Sequence, residues 1–313
     1  MFTAPGGRSA NRRTRRLIVA LALMAPLASA AFASSAAAEP KGSFSVFADC
    51  PLTTPGVTLC TYAQTTSGEF AIGKTKVPIN KTITLQGGAI PTGNEENERE
   101  YFLAPAKDGN SLSKTALNVP GGIFGVNCYE IKGSGWLEEG ARYLCKEIFE
   151  NATTGVTATT ELVASVTNPA VLNLVALATE EETALTLPVR VHLKNPLLGN
   201  TCYIGSTSHP IELHLTTGAT SPPAPNKSIS GSKGKASNEE QNGQLLLRIS
   251  ENSLVDNSFA APGAEGCGEA FAFLIDPLIN AKIGLPSTAG HNTAILNGEL
   301  ESTTVEAVLA NET

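Results

Sequence analysis

Residues 183–218 read TALTLPVRVHLKNPLLGNTCYIGSTSHPIELHLTTG. Leu185, Leu187, Val189, Val191 and Leu193 take every second position, with Thr186, Pro188, Arg190, His192 and Lys194 between them. After a break rich in Gly, Asn and Pro the alternation returns as Ile211, Leu213 and Leu215, set against Glu212, His214 and Thr216. Strict alternation gives a strand one apolar face and one polar face. Two such strands joined by turn residues predict an antiparallel pair over a shared core, and with it an all-β protein.

The flanking sequence extends this reading in both directions. Residues 43–48 read as a short strand. Val77, Ile79, Ile83 and Leu85 alternate with polar residues and read as another, stopped by Gly87-Gly88. The acidic run 93–100 reads as a solvated turn. A second β block spans 111–167, with strands at 123–131, 143–149 and 156–167. Trp136, the lone tryptophan, sits in a Gly-rich turn and is expected to fold back onto the core. Residues 219–243, poor in apolar side chains, read as a mobile loop or an inter-strand excursion. Strands resume at 245–249 and at Phe271, Phe273 and Ile275, and a closing strand covers 293–308. Ile72-Gly73, Thr75 and Pro78-Ile79 recur as Ile204-Gly205, Thr207 and Pro210-Ile211. The chain is long enough for one large β domain or two smaller ones, and the echo favours two related β-sandwich-like modules, 39–167 and 168–313, with little helix and long loops.

The start of the chain has a different character. Arg8, Arg12, Arg13, Arg15 and Arg16 precede an apolar run and then a small-residue stretch ending at Ala38. This is the pattern of a secretory signal peptide over residues 1–38. Removing it leaves 17 basic against 29 acidic residues, a net charge of −12, which argues against nucleic acid or an anionic membrane surface as partner. No later stretch is long and apolar enough to span a membrane. All six cysteines lie in the remaining 275 residues. An even count in an exported chain points to disulfides, and chain order suggests Cys50–Cys60, Cys128–Cys145 and Cys202–Cys267. Four glycosylation sequons, at Asn80, Asn151, Asn226 and Asn311, matter only in a glycosylating host.

The catalytic inventory is thin. Four Asp and four His remain after the leader, and no nucleophile elbow, zinc-protease helix or phosphate-binding glycine loop occurs. The best constellation is Glu212 with His214, joined by His192 and Arg190 if the two strands pair as a hairpin. Such a group has the chemistry to bind a metal or exchange protons. The competing reading is a solvated strand face bearing opposite charges, and it is preferred. No cofactor is expected. The pieces NPLLGNTCYIGS (195–206), SLVDNSFAAPGAEGCG (253–268) and IDPLINAKIGLPSTAGHNTAILNG (275–298) resemble exported actinobacterial proteins of no assigned function. That resemblance implies a shared fold and export, and brings no activity with it. The sequence therefore favours a secreted, non-catalytic β protein, an envelope component or a binding module. A small-molecule or lipid binder built around the apolar segment 271–285 comes second. An exported glycan hydrolase comes third.

Overall fold

The computed structural model describes residues 39–93, 100–122, 128, 131–149 and 154–312. The expected leader, residues 1–38, and most of the expected strand 123–131 lie outside them, as do residues 94–99 of the acidic turn. Residues Ala38–Thr313 form one compact unit.

In chain order the elements are β1 (Leu59–Ile72), β2 (Thr75–Pro78), β3 (Ile83–Pro91), β4 (Glu100–Ala104), β5 (Ala116–Val119), α1 (Trp136–Phe149) and β6 (Val156–Leu162). Next come β7 (Val171–Asn173), α2 (Leu174–Thr179), β8 (Leu185–Lys194), β9 (Tyr203–Ile204) and β10 (Ile211–Leu215). The chain finishes with β11 (Lys235–Gln241), β12 (Gln244–Asp256), β13 (Ala264–Glu265), α3 (Ala272–Ile283), β14 (Thr293–Thr304) and α4 (Val305–Ala310).

The protein is all-β in character, and the fourteen strands among the described residues join in one antiparallel sheet. The order along it is β11-β12-β14-β1-β3-β4-β7-β8-β6-β5, with β10 and β9 on β8, β13 on β9 and β2 on β1. The expected central pair forms, Ile211 opposite Val189 and Leu215 opposite Leu185. The sheet then curls. Thr216, just past β10, exchanges two backbone hydrogen bonds with Val255 of β12, at 2.8 and 3.0 Å. Apolar faces of β8 and β10 are thereby turned onto those of β3 and β14, and Leu187, Leu213, Ile83 and Leu296 share one core. The boundary expected between 167 and 168 falls between β6 and β7, which this sheet joins through β8.

Several sequence expectations need correction. β8 is not wet on one face: Pro188 and His192 are buried, because β6, β7, β9 and β10 all pair with it. Gly87-Gly88 does not stop β3. A Cβ at Gly87 would lie 2.4 Å from the Ala104 carbonyl oxygen, so the glycine permits a close backbone approach instead of ending the strand. Residues 42–47 form a 3-10 turn, which places Phe44 and Phe47 side by side beneath α4. The closing strand ends at Thr304, whose hydroxyl accepts from the Ala307 N–H and starts α4.

The segment 219–243 is no mobile loop. It is ordered by polar bonds where apolar burial is scarce. Thr220 pairs with Ile229, the Asn226 amide donates to the carbonyls of Asn257 and Asn292 at 3.0 and 2.8 Å, and β11 pairs along β12. Asn226 and Asn311 thus have their amide nitrogens committed inside the fold, and neither is poised to carry a glycan.

Two expected strands are helices. Residues 143–149 belong to α1, which carries Glu138 and Glu139 in its first turn and Lys146 in its last, the charge order that suits a helix dipole. Residues 272–283 form α3 because Asp276 and Asn280, one turn apart, both reach β13. Asp276 accepts from the N–H groups of Gly266 and Cys267 at 3.1 and 2.7 Å, and Asn280 exchanges two bonds with Ala264. A helix sets residues 276 and 280 about 6 Å apart along one face, where a strand would separate them by about 13 Å, too far for both to serve residues 264–267. The three disulfides join the expected pairs, Cys50–Cys60, Cys128–Cys145 and Cys202–Cys267, which points to an oxidising, extracellular setting. Among the described residues no helix is long and apolar enough to cross a membrane.

Candidate functional site

The residues singled out from sequence do not converge. Glu212 and His214 lie opposite Pro188 and Thr186 on an exposed part of β10. Glu212 accepts from the Asn168 amide at 3.0 Å. His214 donates its backbone N–H to Asp256 at 2.8 Å. Burial raises the Asp256 pKa, against the hydrogen bonds that Ser258 and His214 give it.

Arg190 and His192 lie further along β8, opposite Glu161 and Thr159 of β6. Glu161 grips Arg190 through two bonds to one oxygen, at 2.7 and 2.9 Å, and turns its other oxygen to His192 Nδ1 at 3.3 Å. The His192 ring stacks on Tyr203 with centroids 4.2 Å apart, and the Arg190 guanidinium lies 4.1 Å from the same ring's centroid. His192 is buried, so this layer seals the junction of β6, β8 and β9 and offers no base to a substrate. Among the described residues no three His, Cys, Asp or Glu side chains gather as a metal site. Trp136 is not folded back onto the core; it opens α1 with 81 % of its surface exposed.

The concave surface lies elsewhere, beside α3. A groove of about 640 Å³ runs between α3, the β1–β2 turn and the ends of β5, β6 and β8. Its floor is hydrocarbon, from Val119, Val156, Leu193, Leu198, Ile279 and Ile283. Its rim holds Lys74, Lys76, Lys282 and His291, and no carboxylate is among its described lining residues. No family model, curated protein or solved structure matches the chain. The groove therefore has to be read from its own chemistry.

A second hollow of about 570 Å³ continues past Val119 and Val156 to Lys194, Asn195 and Glu269. Its outer wall is fixed by the Cys202–Cys267 bridge and by Gly268 N–H donating to the Leu198 carbonyl at 2.7 Å. Inward, the groove shares Thr75, Val119, Leu193 and Ile283 with a narrow apolar cavity of about 50 Å³. That cavity shares Phe70 and Thr160 with another, of about 60 Å³, between β1 and β8.

α3 builds one wall of the groove with an unusual distribution of side chains. Its polar residues Asp276 and Asn280 turn inward to β13, while Phe273 (73 % exposed), Leu274 and Leu278 point outward. Lys282 follows Leu278 by one turn and reaches inward, donating to the Gly122 carbonyl. Burial lowers its pKa to about 8.

Sequence reasoning missed Lys74, Lys282 and His291 as a group, because they come from three separate segments. The one available signal was a lysine within the apolar run DPLINAKIGLP, a residue type seldom placed there without purpose. The 271–285 segment, singled out as the motive for an apolar ligand, does contribute to the groove through Ile279 and Ile283.

Proposed function

We propose that the chain is an exported, non-catalytic binding module that holds a small ligand in the groove beside α3. The observation carrying this reading is the make-up of that groove: an apolar floor drawn from β5, β6, β8 and α3 beneath a polar rim. Its volume, about 640 Å³, lies within the roughly 300–1,000 Å³ usual for small-ligand sites. Catalysis by hydrolysis or proton transfer calls for a nucleophile or acid paired with a base. Among the groove's described lining residues there is no carboxylate to pair with His291 as acid and base, and a binding role is preferred here on that ground. Export is supported by the leader-like N-terminal sequence and the three disulfides.

The test is a thermal-shift and native mass-spectrometry screen of small molecules on the purified chain, repeated on Val119→Trp. Val119 borders both hollows, so an indole there fills the floor. Ligands that stabilise the wild type and not the variant support the reading. Binding that survives the substitution, or turnover of glycosides or esters, overturns it.

A further inference from the structure

We propose that the curled sheet encloses a blind apolar socket for a single unbranched hydrocarbon chain, entered from the groove beside α3, where the chain's polar end stays. This inference rests on the reading of the groove as a binding site and names the class of ligand it takes.

Eight of the strands form a ring. β12 pairs with β14, β14 with β1, β1 with β3, β3 with β4, β4 with β7, β7 with β8 and β8 with β10. The two Thr216–Val255 backbone bonds and the His214 N–H on Asp256 then join β10 back to β12. A ring of eight strands is just wide enough to be filled by side chains or to hold one small ligand.

This ring is incompletely filled. The cavity of about 60 Å³ lies inside it, against Ala63, Leu85, Leu187, Leu213, Leu254 and Leu296. It shares Ala63, Thr65 and Leu254 with a third cavity, of about 40 Å³, that reaches Leu103 of β4 and Leu172 of β7. All eight ring strands thus contribute to the lining of these two. The cause lies in the sequence: β1 turns Thr61, Ala63 and Thr65 inward and β6 adds Thr160, small side chains opposite leucines.

The run of cavities has a direction. Toward α3 it continues through the cavity of about 50 Å³, which borders the groove across Val119, Leu193 and Ile283. At the far end the fully buried Leu177 of α2 lines the third cavity and stops it. Phe70 and Thr160, shared by the first two cavities, are side-chain walls, which rotate aside where backbone cannot.

The walls select hydrocarbon. Apart from threonines, the polar lining residues are Asn252 and Glu299, both at the third cavity. Among the described residues, none of the buried polar side-chain atoms that lack a hydrogen-bond partner borders these three cavities. Apolar voids of this kind stay dry and accept hydrocarbon. The three volumes, about 50, 60 and 40 Å³, add to about 150 Å³, the size of an engineered cavity that binds benzene. Here the space is strung in file, which suits a slender chain and not a ring or a branched body.

The experiment titrates 1-butanol, 1-hexanol, 1-octanol, 1-decanol and the branched 3,7-dimethyl-1-octanol calorimetrically into the whole chain, Thr160→Leu and Ala63→Leu. Thr160 borders the first and second cavities and Ala63 the second and third, so leucine narrows the run at two depths. In the wild type, binding is expected to tighten about fourfold per added methylene through 1-decanol. 1-Decanol should bind at least tenfold tighter than its branched isomer, a comparison that needs neither variant to fold. In both variants the tightening should level off at a shorter chain, sooner in Thr160→Leu. Tightening that runs on unchanged in the variants, or a branched isomer bound as well as the linear one, puts the chain outside the ring; the socket is then overturned and the groove reading stands. Failure of every alkanol, while other molecules bind in a Val119→Trp-sensitive way, overturns the hydrocarbon chain alone. Absence of any Val119→Trp-sensitive ligand overturns both.

Discussion

Replacing both cysteines of the Cys202–Cys267 bridge by alanine is expected to cost more than the same change at Cys50–Cys60, and the excess follows from loop length. The two bridges close segments of 65 and 10 residues. Restricting the unfolded chain stabilises by an amount that grows with the logarithm of the loop, giving about 4.3 kcal/mol for the longer and about 2.7 kcal/mol for the shorter. The difference, about 1.6 kcal/mol, is the better quantity, because the constant term cancels. Local packing losses also nearly cancel, since all four half-cystines are 2 % exposed or less. Urea unfolding followed by the far-UV signal measures both variants, with the slope fitted separately for each because loss of a cross-link expands the unfolded state. If the two deletions cost the same, or the shorter loop costs more, unfolded-chain entropy is not what these bridges supply. The longer bridge also holds Gly268, whose N–H donates to the carbonyl of the groove residue Leu198, so its loss should weaken ligand binding where loss of Cys50–Cys60 does not.

Two further outcomes are expected. Asn292 is fully buried, its amide donates to the Phe259 and Thr288 carbonyls at 2.8 and 3.1 Å, and its oxygen accepts from the Gly73 N–H at 3.0 Å. Asn292→Ala leaves those backbone groups unpaired and should cost about 2–4 kcal/mol by denaturant melting; a loss under about 0.5 kcal/mol would show that the network is dispensable. Glu301 is buried, and desolvation raises its pKa above the ordinary 4.5, only partly countered by Arg248 at 3.0 Å. A raised carboxylate favours the fold below its unfolded pKa, and that contribution is lost as pH climbs through the folded value. Glu301→Gln should therefore gain stability relative to the wild type as pH rises above the ordinary 4.5, read as the difference between their melting temperatures. A constant difference would remove the titration from the account.

The central pair was legible because period-two alternation is a local property, and residues 185–193 and 211–215 keep it without interruption. The half-cystine pairing was legible because two of the three bridges are local. The dry and wet faces of β8 were not, because a strand hydrogen-bonded to four neighbours buries residues that alternation assigns to solvent. The helix α3 was hidden by the alternation of Phe271, Phe273 and Ile275. What decides it is the reach of Asp276 and Asn280 to β13, a tertiary contact with no local signature. For the same reason the groove could not be assembled from sequence. Lys74, Lys282 and His291 meet only once the curled sheet carries the β1–β2 turn to the end of α3.

The pairing of β1 with β14 has a consequence for how the chain comes into being. About 220 residues separate the end of one strand from the start of the other. At ribosomal speeds that gap takes roughly 10–40 s to synthesise. Throughout it β1 has an unclaimed edge, as does β12 in its turn, since β14 lies between them. Unpaired edges of this kind invite intermolecular association. The nascent polypeptide thus depends on being shielded until its final segment emerges, and truncation ahead of residue 293 would leave two sticky margins in place of one seam.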